Sequence, residues 1–238
     1  MPKIRVMPTL LFKDVGLVKG VAFDSWRRVG SAMQAVKVYN MREVDELVYL
    51  DITATNDGRP PDFETVDDLA DECFMPLTVG GGVRTVEHVR RLLKVGADKV
   101  AINSAAVEHP ALIREIADRF GSQCVVVSID ARRRSDGTYE SYTHSGRRPA
   151  GRSPAVLAKD AQAMGAGEVL LTSIDRDGTM QGYDVELTRL VSDAVSIPVI
   201  ASGGAGTYAQ HGGRGRTPAL LARDARRVPG SARAGSRL

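Results

Sequence analysis

A chain of 238 residues that is 43% hydrophobic and 26% charged has ordinary globular composition, and no apolar run approaches the roughly 20 residues of a membrane span. The net charge of +3 hides an asymmetry: seven of the 32 basic residues but one of the 29 acidic ones lie in 212–238, so the preceding part carries a net −3. A basic nucleic-acid-binding body is therefore excluded, and the basic character belongs to the tail.

Taken in order, Ile4–Leu11 reads as a first strand, followed by a loop holding Lys13 and Lys19 and a helix over Ala32–Asn40. Leu47–Ile52 is a second strand, the Thr-, Asn-, Gly- and Pro-rich stretch 53–62 a loop, and Phe63–Glu72 a helix. Leu77–Val79 runs into Gly80–Gly82 and a helix over Val86–Val95. A fourth strand over Val100–Asn103 precedes a helix that Pro110 can open. Val125–Asp130 is a fifth strand, and the SDGT turn before YESYTHS predicts a small hairpin after it. Helix Ala155–Met164, strand Val169–Ser173, helix Val185–Ala194 and strand Val199–Ala201 complete seven βα-type strands. From Gln210 no β-branched run follows; Arg, Gly and Ala dominate instead. Either a disordered basic tail, a variant last helix or a shifted reading frame after about Ala209 accounts for that change.

Two strand–loop pairs recur at one offset of 122 positions, Glu46 matching Glu168 and Gly81 matching Gly203, which marks a duplicated half-structure. Alternating βα units in duplicate predict an α/β fold, a (β/α)8 TIM barrel binding phosphorylated ligands on one face. That barrel is expected to be incomplete. The counterpart of GADKVAINSAAV falls on PALLARDARRVP, so the eighth βα unit is missing or replaced by an aberrant tail. One domain is expected over 1–209, with 210–238 a disordered Arg/Gly-rich tail. A second defect lies at the start, where aligning VMPTLLFK with VVVSIDAR puts Leu11 opposite Asp130.

Candidate functional residues follow from position. Gly80–Gly82 and Gly203–Gly204 end strands, where a missing Cβ lets backbone N–H groups approach phosphate, although a tight turn alone needs the same residues. Asn103 and Ser104 lie beside the first site, Asp177 and Gly178 beside the second, so an elongated ligand with two phosphates is expected. Asp130, ending an apolar strand, suits general acid–base chemistry unless it pairs with Arg132 or Lys19. Asp51 is either catalytic or an orienting partner for Lys19. Arg5, Glu46, Lys99 and Glu168 begin their strands at the opposite face and can close the barrel floor as an alternating ring, against the plainer reading of separate ion pairs. Cys73 and Cys124 are far apart and the four histidines scattered, so neither a metal nor a cofactor is expected, and reduced thiols without a signal-peptide pattern suit the cytoplasm.

DELVYLDITA, PLTVGGGVR, GADKVAINSAAV, FGSQCVVVSIDA, GAGEVLLTSIDRDGT and IPVIASGGAG together resemble the cyclase subunit of imidazole glycerol phosphate synthase over residues 1 to about 208. The resemblance implies a lyase-type cyclase of histidine biosynthesis. It would use ammonia from a glutaminase partner, in a heterodimer, to convert a bisphosphate aminoimidazole-carboxamide ribonucleotide into imidazole glycerol phosphate. It implies an ammonia gate at Arg5, Glu46, Lys99 and Glu168. Phosphate and substrate contacts are implied at Gly82, Asn103, Ser104, Asp177, Gly178, Gly203 and Gly204, with Lys19 and Asp51 beside them, and a catalytic Asp130. No nucleic acid and no membrane enter that picture. The family pattern P-C-L-D reads Pro8-Thr9-Leu10-Leu11 here, so the second carboxylate is missing and catalysis is open. PTLL with FDSWRRVG is similar to cyclase-like paralogues associated with amidination of surface-polysaccharide sugars. A non-catalytic barrel that channels ammonia for a glutaminase is the third reading.

Overall fold

The structure, a computed structural model, describes residues 5–14 and 16–207 together with the backbone of Ala219–Leu221. The chain is an α/β protein built as an incomplete (β/α)8 barrel. Strand β1 (Thr9–Lys13) leads into an antiparallel excursion, β2 (Gly16–Val21) and β3 (Asp24–Gly30), before helix α1 (Ala32–Met41). Next come β4 (Leu47–Asp51), α2 (Phe63–Asp71), β5 (Leu77–Gly80), α3 (Val86–Lys94) and β6 (Lys99–Ile102), then helices α4 (Ser104–Glu108) and α5 (Ala111–Phe120). The second half repeats the plan. Strand β7 (Val125–Arg133) opens into the excursion β8 (Tyr139–Thr143) and β9 (Arg148–Pro149), then α6 (Pro154–Ala163), β10 (Glu168–Ser173), α7 (Val185–Ser192), β11 (Val199–Ser202) and β12 (Ala219–Leu221).

The sheet order is β12-β11-β10-β7-β6-β5-β4-β1, with β2 and β3 beyond β1 and β8 and β9 branching from β7. All eight strands of that main run pair in parallel, as short crossover helices require. They read as continuous apolar runs because both faces are covered: every residue of β5 and β10 is buried. Outward side chains such as Leu47, Tyr49, Val79, Val127, Ile129 and Val199 meet the helices in the larger core. Inward side chains Met7, Val48, Ala101, Val126, Leu170 and Ile200 form a second, separate apolar layer inside the barrel. The period-two alternation of a strand separates the two sets.

Helix starts are fixed locally. Asp62, Thr85 and Asp184 accept hydrogen bonds from the backbone N–H groups of Thr65, His88 and Leu187, and each helix carries a glutamate in its first turn.

Three sequence expectations need correction. The loop expected to hold Lys13 and Lys19 is a two-stranded excursion, because GLVKGV and DSWRRVG satisfy their backbone groups by pairing with β1 and with each other. Among the described residues strand β1 begins only at Thr9, since Val6 N–H bonds to the Asp45 carboxylate and Pro8 has no N–H to give a ladder; Ile4, the expected start, lies outside the described residues. Finally, the expectation that 210–238 supplies no strand fails at Ala219–Leu221, which pairs in parallel with β11, Ile200 opposite Leu220. Pairing needs only extended backbone, which a short Ala-Leu-Leu run can adopt without β-branched residues. The rest of the expected disordered tail, and the boundary at 209, lie outside the described residues. Among the described residues no helix is long and apolar enough to cross a membrane.

Candidate active site at the mouth of the barrel

The C-terminal ends of the parallel strands surround a cavity of about 190 Å³. Its wall is made by successive inward positions: Thr9 and Leu11 of β1, Leu50 of β4, Ser128 and Asp130 of β7, Leu170 and Thr172 of β10, and Ser202 of β11. Asp51, Gly81, Asn103, Ser104, Asp177 and Gly203 join from the loops that follow. Thus Asp51, Asn103, Ser104, Asp130, Asp177 and Gly203 of the expected site residues come together here.

Asp130 is buried, 9% exposed, near the end of an apolar strand. Burial pushes its carboxyl up to about 7, with the charge of Asp177 acting in the same direction. Asn103 Nδ2 lies 3.4 Å from its Oδ2, while also donating to Ser128 O at 3.1 Å and Tyr142 O at 3.2 Å. The salt bridge to Arg132 considered as an alternative does not form. Arg132 lies over the Tyr142 ring and pairs with Asp175 at 3.7 Å, so Asp130 keeps a titratable, weakly bonded oxygen facing the cavity.

Asp51 is differently employed. Its Oδ1 accepts from Thr53 N, Thr53 Oγ1 and Ala54 N at 2.8 to 3.0 Å, and its Oδ2 lies 3.4 Å from the Arg59 guanidinium. These donors tie the Asp51 carboxylate to the loop after β4 and to Arg59. Lys19 lies midway along β2, in register with Arg27 and outside the described lining of the cavity.

The glycines serve the backbone first. Gly81, Gly82, Gly203 and Gly204 have φ between +70° and +109°, and a Cβ on Gly203 would lie 2.6 Å from Ser173 O. Gly82 N–H already bonds to Thr55 Oγ1 at 3.3 Å, so it is less free to meet a phosphate than its position suggests. Gly178, at φ +74°, turns the chain after β10. The helix that would follow Gly204 lies outside the described residues.

Several lining residues went unmarked in the sequence. Arg84 reaches the mouth with its guanidinium fixed by Thr55 O at 2.9 Å and Gly58 O at 3.3 Å, an immobile cation beside Gly81. His144, at the end of the β8 excursion, donates its backbone N–H to Ser104 Oγ at 3.0 Å. Burial, aided by Arg148, lowers its pKa, so the 3.6 Å approach of Glu108 to its Nε2 is not an ion pair at neutral pH. Phe23 and Trp26 arrive from the β2–β3 excursion. Arg84 stands two residues after Gly80–Gly82, a closeness that could have marked it, and nothing in local sequence marked the aromatics.

At the opposite end the four expected charges meet. Arg5 binds Glu46 at 3.1 Å and also Glu168, and Lys99 Nζ lies 2.9 Å from Glu46 and 3.0 Å from Glu168. Each cation touches both carboxylates, closing a ring, and Thr78 Oγ1 donates to Glu46 at 2.8 Å. Glu46 is 2% exposed, which only such complete pairing makes tolerable. The inner apolar layer separates this ring from the mouth cavity.

Among the described residues no cluster of three or more His, Cys, Asp or Glu is arranged to hold a metal ion. A parallel barrel with a buried carboxyl and polar loops gathered at the strand C-termini has the architecture in which chemistry is carried at that mouth. The family described as histidine biosynthesis protein matches residues 5–211 of this chain, and the chain belongs to that family.

Proposed function

We propose that this chain is an ammonia-using, cyclase-type member of its family, acting on a phosphorylated substrate at the mouth with Asp130 as its proton-transfer group. The observation that carries this reading is the stacking along one axis of a closed charged ring, an apolar layer and a cavity holding a carboxyl of pKa about 7. A neutral small nucleophile suits that path, whereas an ion would have to shed its water to cross the apolar layer. At neutral pH Asp130 is divided between its two protonation states, so it can give or take a proton. A glutaminase supplying ammonia at the floor face, and a bisphosphate aminoimidazole-carboxamide ribonucleotide converted to imidazole glycerol phosphate at the mouth, are the partner and reaction this reading entails.

Exchanging Lys99 for Glu tests it. Glutamine-supported turnover in the presence of a glutaminase subunit should fall at least tenfold further than turnover with free ammonium salts. Equal losses in both assays would count against passage through the floor.

Leu11 supports a second reading, the related role in amidination of surface-polysaccharide sugars. It lines the cavity where the duplicated half-barrel carries its carboxylate, and leucine moves no proton. Complementation of a cyclase-deficient histidine auxotroph separates the two: growth on minimal medium supports the histidine reaction, and failure by a well-folded chain supports the sugar role.

A further inference from the structure

We infer that Trp26 is a specificity-determining residue on which a phosphorylated ligand lays an uncharged ring face within the mouth cavity. This deepens the ammonia-dependent reading above and rests on it.

The cavity lining mixes two kinds of side chain. Asn103, Ser104, Ser128, Asp130 and Thr172 can meet hydroxyl or phosphate oxygens, while Leu11, Leu50, Phe23 and Trp26 are apolar or aromatic. Leu11 and Leu50 are register partners on neighbouring strands, so their side chains share one face of the sheet. Trp26, on β3, adds an aromatic face to the same lining. Its indole is seated by a glycine: a Cβ on Gly20 would lie 2.8 Å from Trp26 Cε3 and 3.0 Å from Cζ3, so the six-membered ring lies against bare backbone of β2. A large aromatic thus has a prepared seat at the mouth and still lines the cavity.

A ligand matching both kinds needs a flat, uncharged, weakly polar face and a rim rich in oxygen. A sugar ring with its C–H face on the indole has that form, and so does a neutral heterocycle carried on a sugar phosphate. The shared chemistry is ring stacking on an aromatic, worth about tenfold in affinity. Leu11 reinforces the choice, because an apolar side chain there disfavours a charged group at that edge.

The chain has one tryptophan, so fluorescence excited selectively at tryptophan, away from the tyrosines, reports this position. Three probes are titrated into the full chain: N-acetylglucosamine 1-phosphate, aminoimidazole carboxamide ribotide and inorganic phosphate. Calorimetry follows the same probes with the variants. At least one ring-bearing probe should shift Trp26 emission saturably and bind at least tenfold more tightly than phosphate, and which of the two does so identifies the ring. Trp26→Ala should lose about tenfold of that affinity and Trp26→Phe should recover most of it. Ring probes that bind no better than phosphate, or equally well to Trp26→Ala, overturn the inference. Binding with the expected Trp26 dependence but no ammonium-dependent turnover keeps it and sinks the ammonia reading. Turnover that is indifferent to Trp26→Ala does the reverse.

Discussion

Strands β1 and β7 hold corresponding places in the two halves of the barrel, yet they end differently. Both pair in parallel with a neighbour and then turn back into an antiparallel excursion, Leu11 opposite Val18 in one and Asp130 opposite Tyr142 in the other. Backbone plan is therefore shared down to the excursion. Side chains are not: β7 brings Asp130 to the cavity and its excursion brings His144, while β1 brings Leu11 and its excursion brings Phe23 and Trp26. Hydrogen-bonded pairing constrains only the main chain, so a duplicated barrel can keep its symmetry while one strand end presents a carboxyl and the other an apolar side chain.

The strongest way to break that contrast is Asp130→Asn. Ammonia-dependent turnover should fall about 10²- to 10⁴-fold, and the limb of the pH–rate profile near the Asp130 pKa of about 7 should vanish. Stability moves the other way. Because the folded-state pKa is raised above the unfolded value, the native state binds the extra proton. Asp130 therefore costs nothing below about pH 4, its cost grows as pH rises toward 7, and it is constant above. Asp130→Asn should accordingly raise Tm at pH 8 and leave it nearly unchanged at pH 4. A variant less stable at pH 8 than at pH 4, relative to the parent, would mean the carboxylate is better satisfied than burial implies.

At the floor only the carboxylates are matched between the halves, Glu46 from the first and Glu168 from the second, while both cations, Arg5 and Lys99, come from the first. Lys99→Met leaves Glu46, at 2% exposure, with Arg5 and Thr78 only, so unfolding free energy should drop by about 2–4 kcal/mol. Denaturant titration reads this directly. A loss under 0.5 kcal/mol would reduce the ring to four ordinary surface pairs.

Much of this architecture was legible because it is periodic. The duplicate at offset 122 placed Glu46 with Glu168 and Gly81 with Gly203, and strand ends carried the floor and mouth residues. The β2–β3 excursion was not legible, since GLVKGV is short and interrupted by glycine, and its pairing partner DSWRRVG carries alternate charges that resemble a loop. Nor was the engagement of Asp51, whose donors Thr53, Ala54 and Arg59 are visible as partners only once the loop closes on itself. Ala219–Leu221 was missed because three residues carry no period. Its register also differs: Ile200 faces Leu220, whereas the first half pairs Thr78 with Lys99, whose counterpart by the repeat would be Leu221. With the backbone register shifted by one residue, the repeat could not have located the strand.

Glycine positions sharpen the comparison further. Gly81→Ala and Gly203→Ala occupy equivalent turns, with φ of +109° and +89°, and each Cβ would lie 2.3 Å from Asp51 O or 2.6 Å from Ser173 O. Both should destabilise by about 1–3 kcal/mol through backbone strain and the close approach. Thermal melts that differ by more than twofold between the two would show that the duplicated turns bear unequal loads.

The smallest effect is expected at Thr9→Val, one turn of the same alternation below Leu11. Thr9 corresponds to Ser128 in the second half, and both line the cavity. Thr9 Oγ1 is buried without a hydrogen-bond partner in the protein. An unsatisfied buried hydroxyl already bears its desolvation cost, so replacing it with an isosteric methyl should leave stability unchanged or raise it by up to about 1 kcal/mol. Ser128→Ala, with no methyl to fill the space, should instead lose a few tenths. A loss of more than 1 kcal/mol in Thr9→Val would show that something else, water or a small bound ligand, satisfies that hydroxyl in solution. The apolar wall of β1 would then contain a polar contact point at its base, and the contrast with β7 would apply only from Leu11 outward.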